Sequence, residues 1–256
     1  MHLAERLNSG KISFTAWSGV PDTLTVEIVS RLGFEVVTLD MQHGAHHEDS
    51  VARCIPSITG SGVHPVIRIP VGRFDMASRA LDLGAEAVIA PMINTVADAK
   101  LFAAAMKYPP TGERSWGPTF GMPRSGIKDT AEWLGTQNAR TISFAMIETR
   151  PAYGLLDEIL AVPGIDGVFV GPSDFSIAWS GGAIIDTNLE DMMSAIGDIG
   201  ARTRKAGKFA AIFAVDPTIS GRYAAMGYQM IALGNEQYYM RVGAENMIKA
   251  ARESIR

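Results

Sequence analysis

The sequence predicts a single (β/α)8 barrel domain that spans residues 1–256. Short apolar segments of strand length recur eight times and alternate with segments whose apolar residues recur at helical spacing. Strands that alternate with helices are typical of parallel pairing through helical crossovers. One barrel of this kind needs about 250 residues, and the chain has 256.

The predicted elements follow one another along the whole chain. The strands are Ile12–Trp17, Val36–Asp40, Pro65–Ile69, Ala87–Pro91, Ser143–Glu148, Asp166–Val170, Ala210–Val215 and Met230–Leu233. The clearest helices are Asp22–Leu32, Phe74–Leu83, Thr95–Lys107, Leu189–Lys205, Ile219–Met226 and a final helix over Glu236–Ile255.

A glycine junction precedes four of the strands. The four junctions are Leu32-Gly33-Phe34, Leu83-Gly84-Ala85, Pro163-Gly164-Ile165 and Met226-Gly227-Tyr228. Glycine is expected just after a helix because it takes a positive φ without a Cβ penalty. The repeated helix–turn–strand unit favours a closed barrel. An open doubly wound sheet is disfavoured because the first strand runs into Ser18-Gly19-Val20-Pro21 and not into a GxGxxG turn.

One connection, residues 108–129, is long and rich in proline and glycine. Long irregular connections in compact domains are often lids or interfaces. We therefore expect this segment to lie over the catalytic face of the barrel.

Composition disfavours several classes of partner and location. The net charge of −4 gives no reason to expect a nucleic-acid or membrane-surface partner. No run of about 18 apolar residues is present, and the first residues carry charges where a signal peptide needs an apolar stretch. Cys54 is the only cysteine, so no intrachain disulfide can form. We expect a cytoplasmic protein.

Polar side chains follow several of the predicted strands. Asp40 ends the second strand and His43 comes three residues later, while Arg68 lies near the end of the third. Glu148 ends the fifth strand, and Asp174 follows the sixth. Because active sites of (β/α)8 barrels lie at the carboxyl ends of the strands, these residues form one candidate catalytic rim.

Glu148 and Asp174 are the candidate metal ligands. Two carboxylates on neighbouring strand ends can bind one hard divalent cation, although they can also be ordinary acids that are solvated or paired with Arg150. The turn Gly171-Pro172-Ser173 before Asp174 can present backbone N–H groups to an anion, or it can be a simple strand-to-helix turn.

His43 is the candidate general base, since an imidazole titrates near neutral pH. Asp40 can orient that imidazole or cap a helix. A metal cluster at His46 and His47 is the less favoured alternative, because loop histidines are more often solvated. None of the seven lysines ends a predicted strand, which disfavours a Schiff-base mechanism. The loops after the last two strands lack a glycine-rich segment that could bind a phosphate group, so a phosphorylated substrate is disfavoured.

Five segments occur in an order and spacing that resemble the class II pyruvate aldolases, the family of 4-hydroxy-2-oxoheptane-1,7-dioate aldolase and 2-dehydro-3-deoxyglucarate aldolase. The segments are Phe34–His43 (FEVVTLDMQH), Pro65–Arg68 (PVIR), Tyr108–Arg114 (YPPTGER), Ile147–Arg150 (IETR) and Gly167–Ser176 (GVFVGPSDFS). The resemblance covers nearly the whole chain, and the IETR and GPSD pieces together are specific.

The resemblance implies a role for each matching position. Glu148 and Asp174 match metal ligands, His43 matches the catalytic base, and Arg68 matches the residue that stabilises the enolate. Asp82 matches a carboxylate that raises the basicity of the histidine across a subunit contact, and Asp40 belongs to the same network. The substrate-binding positions are Gly171, Pro172, Ser173, Met146, Trp17 and Phe213, of which Ser173 matches an amide that holds the substrate carboxylate.

The implied activity is reversible cleavage of a 4-hydroxy-2-oxo acid to pyruvate or hydroxypyruvate and an aldehyde, with Mg²⁺, Mn²⁺ or Co²⁺ as cofactor. The implied assembly is a hexamer whose final helix swaps between subunits. Two alternatives stay open, namely a lyase of the same superfamily that acts on acyl-CoA thioesters and a non-catalytic barrel.

Two positions depart from the family pattern. Met41-Gln42-His43 stands where GEH is usual, and Met146 stands where the family has a glutamine in the substrate site. Both changes make the pocket less polar or less charged. We therefore expect an acceptor aldehyde that is less polar than a dicarboxylic semialdehyde, facing Trp17, Met146 and Phe213.

Overall fold

The computed structural model describes residues 1–255 and contains a closed barrel of eight parallel strands. Each strand pairs with the next along the chain, and the eighth pairs with the first. The strands are β1 (Ser13–Ser18), β2 (Val36–Asp40), β3 (His64–Arg68), β4 (Ala87–Ala90), β5 (Ile142–Ile147), β6 (Gly167–Val170), β7 (Phe209–Ala214) and β8 (Met230–Asn235). The predicted (β/α)8 fold is confirmed.

Helices surround the barrel. They are α1 (Leu3–Asn8), α2 (Thr23–Ser30), α3 (Glu48–Gly60), α4 (Asp75–Leu83), α5 (Val96–Met106), α6 (Gly121–Ser125), α7 (Thr130–Arg140), α8 (Arg150–Gly154), α9 (Leu156–Leu160), α10 (Pro172–Trp179), α11 (Glu190–Lys205), α12 (Ser220–Ala225) and α13 (Glu236–Ser254). Within residues 1–255, none of these helices combines the length and the apolar character that crossing a membrane requires.

Strand alternation divides the core into two layers. In β5, Phe144 and Met146 belong to the cluster inside the barrel, while Ala145 and Ile147 belong to the cluster between the barrel and its helices. Side chains of successive strand residues point to opposite faces, so a strand buried on both faces has to be apolar throughout. This explains why the strands could be recognised as unbroken apolar runs.

Helix α1 closes the amino-terminal end of the barrel. Its residues Leu3 and Leu7 are fully buried and belong to the cluster inside the barrel. The Leu3 N–H donates to Glu86 Oε2 at 2.6 Å, and Gln229 Nε2 donates to the Leu7 carbonyl at 2.9 Å. With this end sealed, a ligand can enter only from the carboxyl ends of the strands.

The expectation that residues 108–129 cover the catalytic face is wrong. This segment packs against α3 and α4, because Arg124 donates to the carbonyls of Ala52 on α3 and Leu83 on α4 and Arg114 pairs with Asp82 at 2.7 Å. None of its residues lines the cavity at the carboxyl ends of the strands. The physical reason is direction, since a connection from a helix to the next strand returns to the amino-terminal end of a parallel barrel.

Candidate active site

A cavity of about 510 Å³ opens at the carboxyl ends of the strands. Most of the sequence-predicted site residues line it, while no lysine among residues 1–255 does so. The predicted residues in its wall are Trp17, Asp40, His43, Arg68, Met146, Glu148, Gly171, Pro172, Ser173, Asp174 and Phe213.

Asp40 and Arg68 form the central ion pair of this site. Arg68 donates Nε to Oδ1 at 2.8 Å and Nη2 to Oδ2 at 2.5 Å, and Trp17 Nε1 donates to Oδ2 at 3.1 Å. Burial raises the pKa of Asp40, but the hydrogen bonds and charge of Arg68 outweigh burial and leave the pKa below its ordinary value. The pair therefore stays ionised and holds the guanidinium in one orientation at the cavity.

The backbone of the loop after β2 donates hydrogen bonds to the same carboxylate. Asp40 accepts the backbone N–H groups of Gln42 at 2.9 Å, His43 at 3.3 Å and Gly44 at 3.1 Å. A Cβ on Gly44 would lie 2.4 Å from the Asp40 carbonyl oxygen, so this turn requires glycine. Asp40 thus positions the His43 backbone, while the exposed imidazole lies 3.1 Å from Gln42 Nε2.

Glu148 is buried beside the strand ends of β5 and β6, with 2% of its surface exposed. Its Oε2 accepts the N–H of Met92 at 2.9 Å, and Met92 adopts a left-handed φ of 54° that few residues other than glycine take. The pKa of Glu148 is raised to about 7, mainly by burial and also by the negative charge of Asp174, while the Met92 N–H and the charge of Arg68 oppose the rise. A buried carboxylate beside a second one needs a proton or a cation.

The turn into α10 completes this end of the cavity. A Cβ on Gly171 would lie 2.5 Å from Glu148 Oε1, so glycine leaves room for the carboxylate. Pro172 begins α10, and Asp174 lies in the first turn of that helix. The first N–H groups of a helix have no partner within it and favour an anion. Carboxylate oxygens next to such amides suit a hard divalent cation that also binds an anionic ligand.

An apolar surface adjoins the charged groups. The ring of Trp17 lies 5.3 Å from Phe213 and 5.6 Å from Phe169, and the Arg68 guanidinium carbon lies 4.9 Å from the Trp17 ring. Met146 is also buried in this wall.

Asp82 is the one predicted site residue that does not line the cavity. It lies near the end of α4, where Arg114 Nη2 donates to Oδ1 at 2.7 Å. Burial raises the pKa of Asp82 despite this ion pair. Within one chain the structure does not bring Asp82 into the cavity that His43 lines, so its action on that imidazole stays a prediction.

Two buried titratable groups near the site depart from the sequence-based expectations, since Glu236 was not recognised and His46 was expected to be solvated. Glu236, with 3% of its surface exposed, lines the cavity and accepts the Gly19 N–H at 3.0 Å. His46 is buried and contacts Ser18 Oγ at 3.0 Å and Ser50 Oγ at 3.1 Å, so it is not a solvated loop residue. Within residues 1–255, no group of three or more His, Cys, Asp or Glu side chains is arranged to hold a metal ion, at His46 and His47 or elsewhere.

Comparison with known proteins gives a consistent result over nearly the whole chain. The sequence model of the HpcH/HpaI aldolase/citrate lyase family matches residues 14–241. The hydroxypyruvate/pyruvate aldolase of Rhizorhabdus wittichii is 34% identical over 96% of each chain. The 2-keto-3-deoxy-L-rhamnonate aldolase of Escherichia coli is 29% identical over 90% of this chain and 85% of its own. The crystal structure of an HpcH/HpaI aldolase from Desulfitobacterium hafniense superposes with a TM-score of 0.88 at 26% identity, covering 99% of this chain and 97% of its own.

Proposed function

The chain belongs to the HpcH/HpaI aldolase/citrate lyase family of carbon–carbon lyases, and we propose that it is a divalent-metal-dependent aldolase. In this proposal it reversibly cleaves 4-hydroxy-2-oxo acids to pyruvate or hydroxypyruvate and an aldehyde. The observation that carries the proposal is the buried Glu148 carboxylate beside Asp174, in the same cavity as the Asp40–Arg68 pair.

The donor set fits a divalent cation. Glu148 and Asp174 would hold Mg²⁺, Mn²⁺ or Co²⁺ through oxygen atoms, and the cation would supply Lewis-acid stabilisation of the negative charge that develops on the 2-oxo acid. A bound cation would also favour the ionised form of Glu148, whose pKa burial raises to about 7.

The chain's own residues perform the remaining steps. Arg68 places positive charge where the enolate oxygen develops, and its pairing with Asp40 prevents it from turning away. The amide of Ser173, at the start of α10, binds the substrate carboxylate. His43 accepts the proton of the C4 hydroxyl as the C3–C4 bond breaks and returns it in the condensation direction.

The relatives favour this reaction over thioester cleavage. The similar proteins named above are a hydroxypyruvate/pyruvate aldolase and a 2-keto-3-deoxy-L-rhamnonate aldolase. Both names describe aldol chemistry of 2-oxo acids, and both matches cover most of each chain.

The test is pyruvate release from a panel of 4-hydroxy-2-oxo acids before and after treatment with EDTA, and after Mn²⁺ or Mg²⁺ is restored. We expect release to disappear with the chelator and to return with the metal. Release that is indifferent to EDTA would overturn the metal assignment, and no release from any substrate would overturn the aldolase proposal.

A further inference from the structure

The cavity has a second polar wall that the proposed mechanism does not use. It is formed at the junction of β8 and α13 by Asn235, Glu236 and Gln237. In the closed barrel, β7 lies between β8 and β6. The turn that carries Asp174 follows β6. This wall therefore lies away from the carboxylate pair that would hold the 2-oxo acid, next to Trp17 on β1.

Glu236 is the notable group in this wall, because one of its oxygens is buried without a partner. Its Oε2 accepts the Gly19 N–H at 3.0 Å, whereas its Oε1 is buried and has no hydrogen-bond partner among residues 1–255. A buried polar atom without a partner is unfavourable, because it has lost its hydrogen bonds to water and gained none in the protein. A ligand that donates a hydrogen bond to Oε1 relieves this penalty, while a ligand that cannot donate leaves it in place.

The charges around the cavity decide which ligand fits. Among residues 1–255, Arg68 is the only Arg or Lys in the cavity wall. Its Nε and Nη2 atoms both donate to Asp40. An acceptor that carried its own carboxylate would meet the Glu236 carboxylate without a second cation to balance it. Like charges in a partly buried site are unfavourable, so an uncharged acceptor is preferred.

We propose that Glu236 is a specificity-determining residue that accepts a hydrogen bond from a hydroxyl group of the acceptor aldehyde. The preferred acceptors are then uncharged hydroxyaldehydes, while aldehydes that carry a carboxylate are disfavoured. This inference rests on the proposed aldolase function and names the substrate class of its acceptor side.

The test is the variant Glu236→Gln, which keeps the shape of the side chain and removes its charge. Its amide oxygen can still accept the Gly19 N–H, so its NH₂ group takes the place of the unpartnered Oε1 and presents donors in place of an acceptor. Glu253→Gln, an exposed change on the same helix, is the matched control. The kcat/KM of each protein is measured with pyruvate and glyceraldehyde, propanal or succinic semialdehyde.

We expect the glyceraldehyde-to-propanal ratio of kcat/KM to fall about tenfold in Glu236→Gln, the effect of losing one hydrogen bond to a charged group. The succinic semialdehyde-to-propanal ratio rises in the same variant. Both ratios stay at the parent values in Glu253→Gln.

A second readout separates specificity from support of the fold. Exchange of the pyruvate methyl protons with deuterium, followed by NMR, reports enolate formation without any aldehyde, and we expect it to change less than the aldehyde ratios. If kcat/KM fell equally with every aldehyde and the deuterium exchange of pyruvate fell by the same factor, the proposal would be overturned. Glu236 would then only hold the backbone at Gly19 in place. Unchanged ratios would also overturn it. A parent protein without exchange and without condensation would instead mean that the aldolase function itself fails.

Discussion

Glu148 is a carboxylate whose surroundings oppose its ionisation in the free protein. It is buried and Asp174 adds a second negative charge, while among residues 1–255 the Met92 N–H alone donates a hydrogen bond to it and Arg68 adds a more distant positive charge. Two ionised carboxylates in such surroundings are unfavourable without a counter-ion. The arrangement therefore favours a state in which a cation neutralises both of them. The same burial that raises its pKa to about 7 therefore suits it to bind metal.

The first prediction concerns the charge of this residue. Glu148→Gln keeps an oxygen that can accept the Met92 N–H but removes the negative charge, so we expect Mn²⁺ affinity to fall by about 100-fold or more. Isothermal titration calorimetry with Mn²⁺ measures the affinity directly. Glu158→Gln, an exposed change on α9, should bind like the parent. Equal affinity of Glu148→Gln and the parent would remove Glu148 from the ligand set.

His46 shows the opposite effect of burial on a base. Burial lowers its pKa from 6.5 to about 4, and the negative charges of Glu236 and Asp40 only partly oppose this shift. Its two ring nitrogens contact Ser18 at the end of β1 and Ser50 in the first turn of α3. The neutral imidazole therefore links the end of β1 to the start of α3.

The second prediction follows from this shift. Above pH 6.5 the imidazole is neutral in both the folded and the unfolded chain, whereas between pH 6.5 and 4 the unfolded chain binds a proton that the folded chain does not. His46 therefore lowers the free energy of unfolding as pH falls through this window, by about 2–3 kcal/mol. Urea unfolding at pH 7.5 and 4.5 should show a smaller loss of stability in His46→Gln than in the parent. The same pH dependence in both proteins would contradict the assignment.

At the scale of elements, the turn between β6 and α10 requires glycine because of close packing. Gly171 has φ −102° and ψ 91°, which other residues can adopt, but a Cβ there would meet Glu148 Oε1 at 2.5 Å and Met146 Cε at 3.1 Å. The backbone approaches the carboxylate so closely that only a residue without a side chain fits.

The third prediction tests this close approach. Gly171→Ala should displace the Glu148 carboxylate and reduce aldol cleavage by about 100-fold, since a shift of about 1 Å in a catalytic group is that costly. Gly135→Ala in α7, where a new Cβ would meet nothing within 4 Å, is the control and should keep the parent rate. Steady-state cleavage assays and thermal melting distinguish a displaced ligand from loss of fold. An active Gly171→Ala variant would show that the site tolerates the shift.

The strands could be predicted from sequence to within one residue at each end, except for the carboxyl end of β8. β8 continues to Asn235 because Trp17 of β1 pairs with Asn235 after a shift in register. Gly234 and Asn235 interrupt the apolar run, so the sequence placed the strand end at Leu233. That error of two residues concealed Glu236, which would otherwise have been recognised as a strand-end carboxylate like Glu148.

The long connection at residues 108–129 shows a different limit. Its length and its glycine and proline content indicated an irregular segment correctly, but these features do not encode which face of the barrel it covers. Its place between a helix and the next strand sets that face, and Arg124 holds the segment there through its contacts with the carbonyls of Leu83 and Ala52. These partners are 41 and 72 residues away in sequence, respectively, so no local pattern reveals them.

At the scale of the whole molecule, most of the predicted site assembles because the barrel is closed and parallel. Parallel strands bring all their carboxyl ends to one rim, so Asp40, Arg68 and Glu148 meet although more than a hundred residues separate the first from the last. Asp82 is the exception, because it lies on a helix and not on a strand end. Fold class alone therefore predicted which strand-end residues share a cavity.

Helix α13 packs little against the rest of the chain. Of its 19 residues only Glu236 is buried, and its apolar side chains Met240, Met247 and Ile248 are 62%, 75% and 50% exposed. Their spacing of seven and eight residues puts them on one face of the helix. An exposed apolar stripe of this kind is typical of a surface that another chain covers.

The last prediction is that this stripe holds copies of the chain together, as the resemblance to a swapped hexamer implies. The parent should sediment well above the mass of one chain, and Met247→Asp/Ile248→Asp should shift it toward that mass, because two buried charges without partners destabilise an interface. Leu101→Asp, an equally exposed apolar position on α5 (61%), is the control and should keep the parent mass. Analytical ultracentrifugation at several concentrations makes the measurement. A parent that sediments as one chain, or a double variant that keeps the parent mass, would show that α13 does not hold copies of the chain together.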